Sequence, residues 1–151
     1  MKVSFKIEGL SELKAAIEEE FSKATATNIQ KRVLVKAGEP IVAAAERMAP
    51  RETGILAASI KVGSKLSRRQ KSKHKRESKL EMFVGPKSLV QATTSEFGTF
   101  QQSPHPFMRP AWDEHKTTAF DSIKDDLRAE IEKARQRAAR KTARFLAKTK
   151  T

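Results

Sequence analysis

The sequence predicts an α+β fold: a small, mainly antiparallel β-sheet packed with two to three helices, plus a long basic hairpin tip and a basic C-terminal helical extension. Three patterns predict it. Short stretches at 3–7 and 80–84 alternate apolar and polar side chains, the period of two that half-buried strands show. Two long stretches carry apolar residues three and four apart, the stripe of an amphipathic helix. Between them glycine and proline gather where the chain must turn.

Val3, Phe5 and Ile7 alternate with Ser4, Lys6 and Glu8, and Gly9 ends this first strand. Ser11 is placed to cap a helix whose apolar face is Leu10, Leu13, Ile17 and Phe21. A second helix is expected over 27–48, with Ile29, Val33, Ala37, Ile41, Ala44 and Met48 on one side. Gly38 and Pro40 lie inside it. Proline lacks a backbone donor and clashes with the preceding turn, which predicts a kink rather than a break, since the stripe continues. Ala49-Pro50 closes the element, and the turn-rich Pro50-Arg51-Glu52-Thr53-Gly54 leads into a short helical turn over 56–60.

Strands at 60–62 and 80–84 bracket the run 65–79, which has Leu66 as its only large apolar residue. Two strands around a long polar tip read as an extended hairpin. The tip cannot build a core, so its order is expected to come from a partner. Residues 90–99 suit helix or strand, and part of 90–97 is a candidate further strand. Residues 101–110 carry prolines and should be extended. A final helix is expected from near Arg109 into the 140s, with Phe120, Ile123, Leu127, Ile131 and Ala134 as its core stripe. The expected core is Phe21, Val33, Ile41, Phe120, Ile123 and Leu127. One domain is expected over 1–132, with the extension 133–151 projecting or fraying unless a partner covers it.

Charge narrows the classes of function. The 151 residues carry a formal charge of +13. Residues 65–79 hold eight Lys/Arg and one acid, a net of +7, and residues 133–150 hold eight and no acid, a net of +8. The remainder therefore sums to −2, a nearly neutral body with two basic appendages that attract polyanions or acidic protein surfaces. There is no cysteine, which excludes disulfides and thiolate metal sites. No apolar run approaches the ~18 residues of a membrane span, and the start lacks the apolar stretch of a signal peptide.

Chemistry is sparse. His74, His105 and His115 form no metal-ligand spacing, and Asp113-Glu114-His115 on a helix point in different directions. No phosphate-binding loop, dinucleotide fingerprint or nucleophile elbow is present. Aromatics are 6% of the chain and nearly absent from the basic runs, against a single-strand binder that stacks bases. No enzyme activity and no cofactor is expected.

Two segments are more specific. Thr94-Ser95-Glu96-Phe97-Gly98-Thr99, then Pro104-His105-Pro106-Phe107-Met108-Arg109-Pro110-Ala111-Trp112, resemble the signature of the head–tail joining or tail-completion minor tail proteins of long-tailed lambdoid bacteriophages. Ala49-Pro50 with Thr53-Gly54, Leu56 and Ser59-Ile60 is similar to a second motif of that family, and Gly9-Leu10 with Leu13 fits its opening. The resemblance covers roughly residues 1–131; the basic tip and tail depart from it. It implies a structural subunit of a ring, six-fold in the family's pattern, in the virion neck between connector and tail tube. The ring joins head to tail, gives passage to the genome, and is assembled in the host cytoplasm. The implied partners are further copies of the chain and neighbouring connector and tail tube proteins.

The motifs can also be read physically. Thr53 can cap a short helix, Gly54 permits a tight turn, Gly98 allows an unusual backbone angle, and Pro106 and Pro110 stiffen the lead-in to the last helix. Phe97 is expected to be buried, and Phe107 and Trp112 to pin the segment to the core or a neighbour. Arg109 is expected to meet Glu96. Glu96, Phe97, Gly98, Thr99, Pro106, Phe107, Arg109 and Trp112 are thus candidate interface residues, with fold maintenance as the competing role. Lys65, Arg68, Arg69, Lys71, Lys73, Lys75, Arg76 and Lys79 are candidate contacts to a protein partner or to genomic DNA. On charge alone, the alternative is a free-standing, sequence-independent DNA-binding protein.

Overall fold

The computed structural model describes residue 15 and residues 17–52, 54–87 and 89–149. In chain order its elements are α1 (Lys23–Met48), α2 (Ile55–Ser59), β1 (Lys61–Gly63), α3 (Arg68–Lys73), β2 (Phe83–Gly85), α4 (Val90–Phe97) and α5 (Met108–Thr149). Residues 17–20 are also helical. The expected strand at Val3, Phe5 and Ile7, the Ser11 cap with Leu10 and Leu13, and the Thr53 cap lie outside the described residues.

Helix dominates. The Ser22 hydroxyl accepts from the Thr25 N–H at 3.4 Å and starts α1, four residues before the expected position. The missed turn is carried by Ala26, which is buried but too small to mark an apolar stripe. The helix continues through Pro40 without a break. Pro40 and Lys36, whose carbonyl loses its helical partner, are both exposed residues, so water can take the missing bond.

Helix α5 packs along α1. The ion pairs Arg32–Glu130 (2.8 Å), Lys36–Asp126 and Arg47–Glu114 (4.0 Å) match rising numbers on α1 with falling numbers on α5, so the two helices are antiparallel. The basic partners are largely exposed, and such pairs contribute ~0–1 kcal/mol each. Apolar burial holds the pair. One cluster joins Ile17, Ala26, Ile29 and Val33 to Leu127, Ile131 and Ala134. The other joins Ala37, Ile41, Ala44 and Ala45 to Leu56, Ile60, Ala92, Phe107 and Ala111. Of the expected core, Val33, Ile41 and Leu127 are buried, while Phe21, Phe120 and Ile123 are half-buried. Arg135 clamps Glu20 through two bonds of 2.7 Å, and beyond it the described side chains of α5 are exposed.

The sheet is smaller than expected. Strands β1 and β2 pair antiparallel with Lys61 opposite Gly85, Val62 opposite Val84 and Gly63 opposite Phe83. Residues 80–82 stay outside the ladder, and the expected further strand at 90–97 is instead helix α4. This ribbon lies against α1 at Gly38, where a Cβ would meet Val62 Cγ2 at 2.7 Å and Val84 Cγ2 at 3.2 Å. Gly38 therefore sets how closely helix and ribbon approach, which its helix propensity alone would not suggest.

The basic run is not a plain hairpin tip. It contains α3, started by a capping box: Ser67 Oγ accepts from the Gln70 N–H at 3.3 Å, and Gln70 Oε1 accepts from the Ser67 N–H at 3.0 Å. Glu81 Oε1 accepts from the N–H groups of Glu77 (2.7 Å) and Ser78 (3.1 Å), and its Oε2 meets His74 Nε2 at 2.8 Å. Arg76 donates to the carbonyls of Ser78 and Lys79. The expectation that only a partner could order this segment is corrected: polar bonds fix the path where no apolar core exists. The Glu77 N–H, then His74, hold the Glu81 carboxyl down at about 2, so it stays charged as an acceptor.

Candidate functional site

The site is built where α4 hands over to α5. Helix α4 ends at Gly98, whose φ of 76° is open to glycine at low cost. A Cβ there would also meet Gln102 O at 2.9 Å and the Pro104 ring at 3.0 Å. A tight turn follows. The Thr99 N–H donates to Gln102 O at 2.9 Å, and Thr99 Oγ1 accepts from the N–H groups of Gln101 and Gln102. The chain then returns to α4 through the His105 N–H, which donates to the Ser95 carbonyl at 2.7 Å.

Glu96 closes the arrangement. A helix start leaves four backbone donors without intrahelical partners. At α5, Glu96 Oε2 accepts from the N–H groups of Phe107 (2.9 Å) and Met108 (3.0 Å), and Oε1 from that of Arg109 (3.2 Å). The next residue, Pro110, has no N–H, and Ala111 donates to Phe107 O. One carboxylate and one proline therefore satisfy the start of a 42-residue helix. Burial alone would raise the Glu96 carboxyl, but the N–H groups of Met108, Phe107 and Arg109 and the Arg109 side chain outweigh it and hold it below its ordinary range. The positive end of the helix dipole acts in the same direction.

The expected Glu96–Arg109 pair is present, with Nε to Oε1 at 3.1 Å. The same guanidinium lies over the Phe97 ring, 5.0 Å from its centroid. Phe97 itself is 66% exposed, which corrects its expected burial: the last turn of α4 points it away from the core. Phe107 is fully buried in the core cluster, so its side chain maintains the fold and cannot itself touch a neighbour. Trp112 is 42% exposed and meets Phe120 edge-to-face at 6.2 Å. Pro106 and Thr99 are exposed.

Phe100 was not among the expected residues, yet at the tip of the turn it is fully exposed. Its signal in the sequence is a lone aromatic among Thr99, Gln101, Gln102 and Ser103, with no apolar neighbour to share a core. Arg109 and Trp112 are three apart on α5 and share a face. The result is a set of exposed aromatics carried on hydrogen-bonded backbone: Phe97 against Arg109, Phe100 on the turn and Trp112 on α5. The other candidate residues, Lys65, Arg68, Arg69, Lys71, Lys73, Lys75, Arg76 and Lys79, are all exposed on the separate arm around α3. Among the described residues no cluster of His, Asp or Glu could hold a metal, and no helix is long and apolar enough to cross a membrane.

Residues 11–98, more than half of the chain, match the model of the HK97-gp10-like family, whose description reads "Bacteriophage HK97-gp10, putative tail-component". The chain belongs to this family. Membership agrees with the resemblance in the two motifs and identifies a bacteriophage tail component, a virion part that works against other phage proteins. The match ends at Gly98, so Glu96 and Phe97 fall inside it and the Phe107–Trp112 half of the surface lies beyond it. No curated protein and no solved structure matches the chain.

Proposed function

We propose that this tail component is one subunit of a ring, of six copies, at the head–tail interface of the virion. The ring joins head to tail and passes the genome through its lumen; it is assembled in the host cytoplasm and carries no enzymatic activity. The observation that carries this reading is the aromatic surface of Phe97, Phe100 and Trp112, held on the Glu96-anchored turn. Large exposed aromatics on fixed backbone suit a contact surface, because little conformational entropy remains to be lost on docking. A head-to-tail contact between one such surface and a different face of the next copy closes a ring when the rotation closes.

The test is sedimentation and electron microscopy of the purified full chain, beside the double variant Phe97→Ser with Phe100→Ser. The native chain should form rings, and the variant should stay monomeric with an unchanged circular dichroism spectrum. A native chain that remains monomeric both alone and on purified tails would overturn the reading.

A further inference from the structure

The basic arm encloses a cleft of about 600 Å³ between α3 and the end of the ribbon. Its lining is of two kinds. Lys65, Lys71 and Lys79 bring positive charge, while Leu66, Leu80 and Phe83 bring apolar surface that is only half-buried. The acid in the cleft, Glu81, is already engaged by His74 and two backbone N–H groups, and Arg76 is engaged by two backbone carbonyls. Among the described residues Lys65, Lys71 and Lys79 make no salt bridge. His74 packs edge-on against Phe83 at 5.3 Å, which stiffens the apolar wall.

We propose that this cleft docks an acidic peptide segment carrying apolar side chains, supplied by a neighbouring virion protein. The inference rests on the reading of the chain as a virion assembly subunit and names the partner chemistry of its arm. Charge complementarity sets the sign of the ligand and speeds encounter. The apolar wall selects between the two polyanions a phage offers. A duplex presents phosphates and sugars to a basic surface and nothing that would cover Leu66, Leu80 and Phe83. A peptide with leucine or phenylalanine between its acids covers both kinds of lining at once. The arm is ordered by its own hydrogen bonds, so docking does not need to fold it first, and less ordering entropy opposes binding.

The experiment uses the full chain and three fluorescent probes followed by anisotropy. One is a peptide alternating Glu and Leu, the second has Ser in place of each Leu, and the third is a DNA duplex of about twenty base pairs. The Glu–Leu peptide should bind about tenfold tighter than the Glu–Ser peptide, and Leu66→Ser should remove that difference. Lys71→Glu with Lys79→Glu should weaken both peptides by about tenfold or more. Amide exchange of Glu77 and Ser78 checks that the arm stays intact, and Leu80→Ser replaces Leu66→Ser if it does not. Equal affinity for the two peptides overturns the proposal. So does displacement of the Glu–Leu peptide by the duplex at equal salt, which makes the phosphate backbone the occupant. Ring formation is scored on the same samples and on purified tails: rings without selective peptide binding sink only this inference, and selective binding with no rings either alone or on tails sinks only the ring.

Discussion

Glu96 is a short-range device with a long-range effect: eleven to thirteen residues on from it lie the three N–H groups that start α5. Removing the carboxylate leaves these donors without a partner where Phe107 is fully buried, and an unsatisfied buried donor costs about 1–3 kcal/mol. Glu96→Ala is therefore expected to lower unfolding free energy in urea by about 2–4 kcal/mol, with Glu96→Gln intermediate because its single carbonyl oxygen replaces part of the set. Arg109→Ala should cost less than about 1 kcal/mol, since its guanidinium is mostly solvated. A Glu96→Ala variant as stable as the native chain would refute the capping role. The pH dependence has a definite sign. The folded carboxyl sits below its ordinary 4.5, so its contribution is present above that pH and is lost as pH falls through the folded value. The native chain should lose stability on acidification below 4.5 more steeply than Glu96→Ala.

At the scale of elements, α1 carries two residues that a helix tolerates poorly, and the structure gives them opposite meanings. Gly38 is required by its neighbours: a methyl there meets Val62 Cγ2 at 2.7 Å, and β-branched valine has little freedom to turn aside. Overpacking of about 1–3 kcal/mol should outweigh the ~1 kcal/mol gained in helix propensity, so Gly38→Ala is expected to lower the melting temperature. Pro40 is exposed and touches no such constraint. Pro40→Ala restores the bond to the Lys36 carbonyl and should raise stability by about 1–3 kcal/mol. Thermal unfolding followed by circular dichroism reads both variants, and a higher melting temperature for Gly38→Ala would show that the ribbon is not seated on α1 as described.

The whole molecule carries a formal charge of +13, and copies brought together in the proposed ring would repel one another. The contacts proposed through Phe97, Phe100 and Trp112 would be apolar, so screening should help them: self-association measured by sedimentation is expected to strengthen as salt rises from about 50 to about 300 mM. Binding of an acidic peptide to the arm should weaken over the same range, because there the charges attract. Opposite salt slopes would assign the two surfaces to two different partners. Self-association that weakens with salt would place the contact between copies on the basic arm instead.

Elements whose signal is periodic or local were legible in the sequence. The stripes through Ile29, Val33 and Ile41 and through Leu127, Ile131 and Ala134 specify the two long helices, because 3.6 residues per turn is a property of the backbone. The Glu96-to-Ala111 motif pointed to the Glu96–Arg109 pair and to the start of α5, since charge and proline position act nearby. The rest followed from packing in three dimensions. Residues 90–97 suited helix or strand until Ala92 and Ser95 were buried on one side of α4. Phe97 and Phe107 read alike in sequence, but only the direction in which α4 and α5 present them places one over Arg109 in solvent and the other in the core. The run 65–79 lacks apolar residues, so hydrophobic patterning could not reveal α3 or its fixed path. Its order comes from Glu81, His74 and Arg76 bonding across turns, and hydrogen bonds between residues several positions apart leave no period in a sequence.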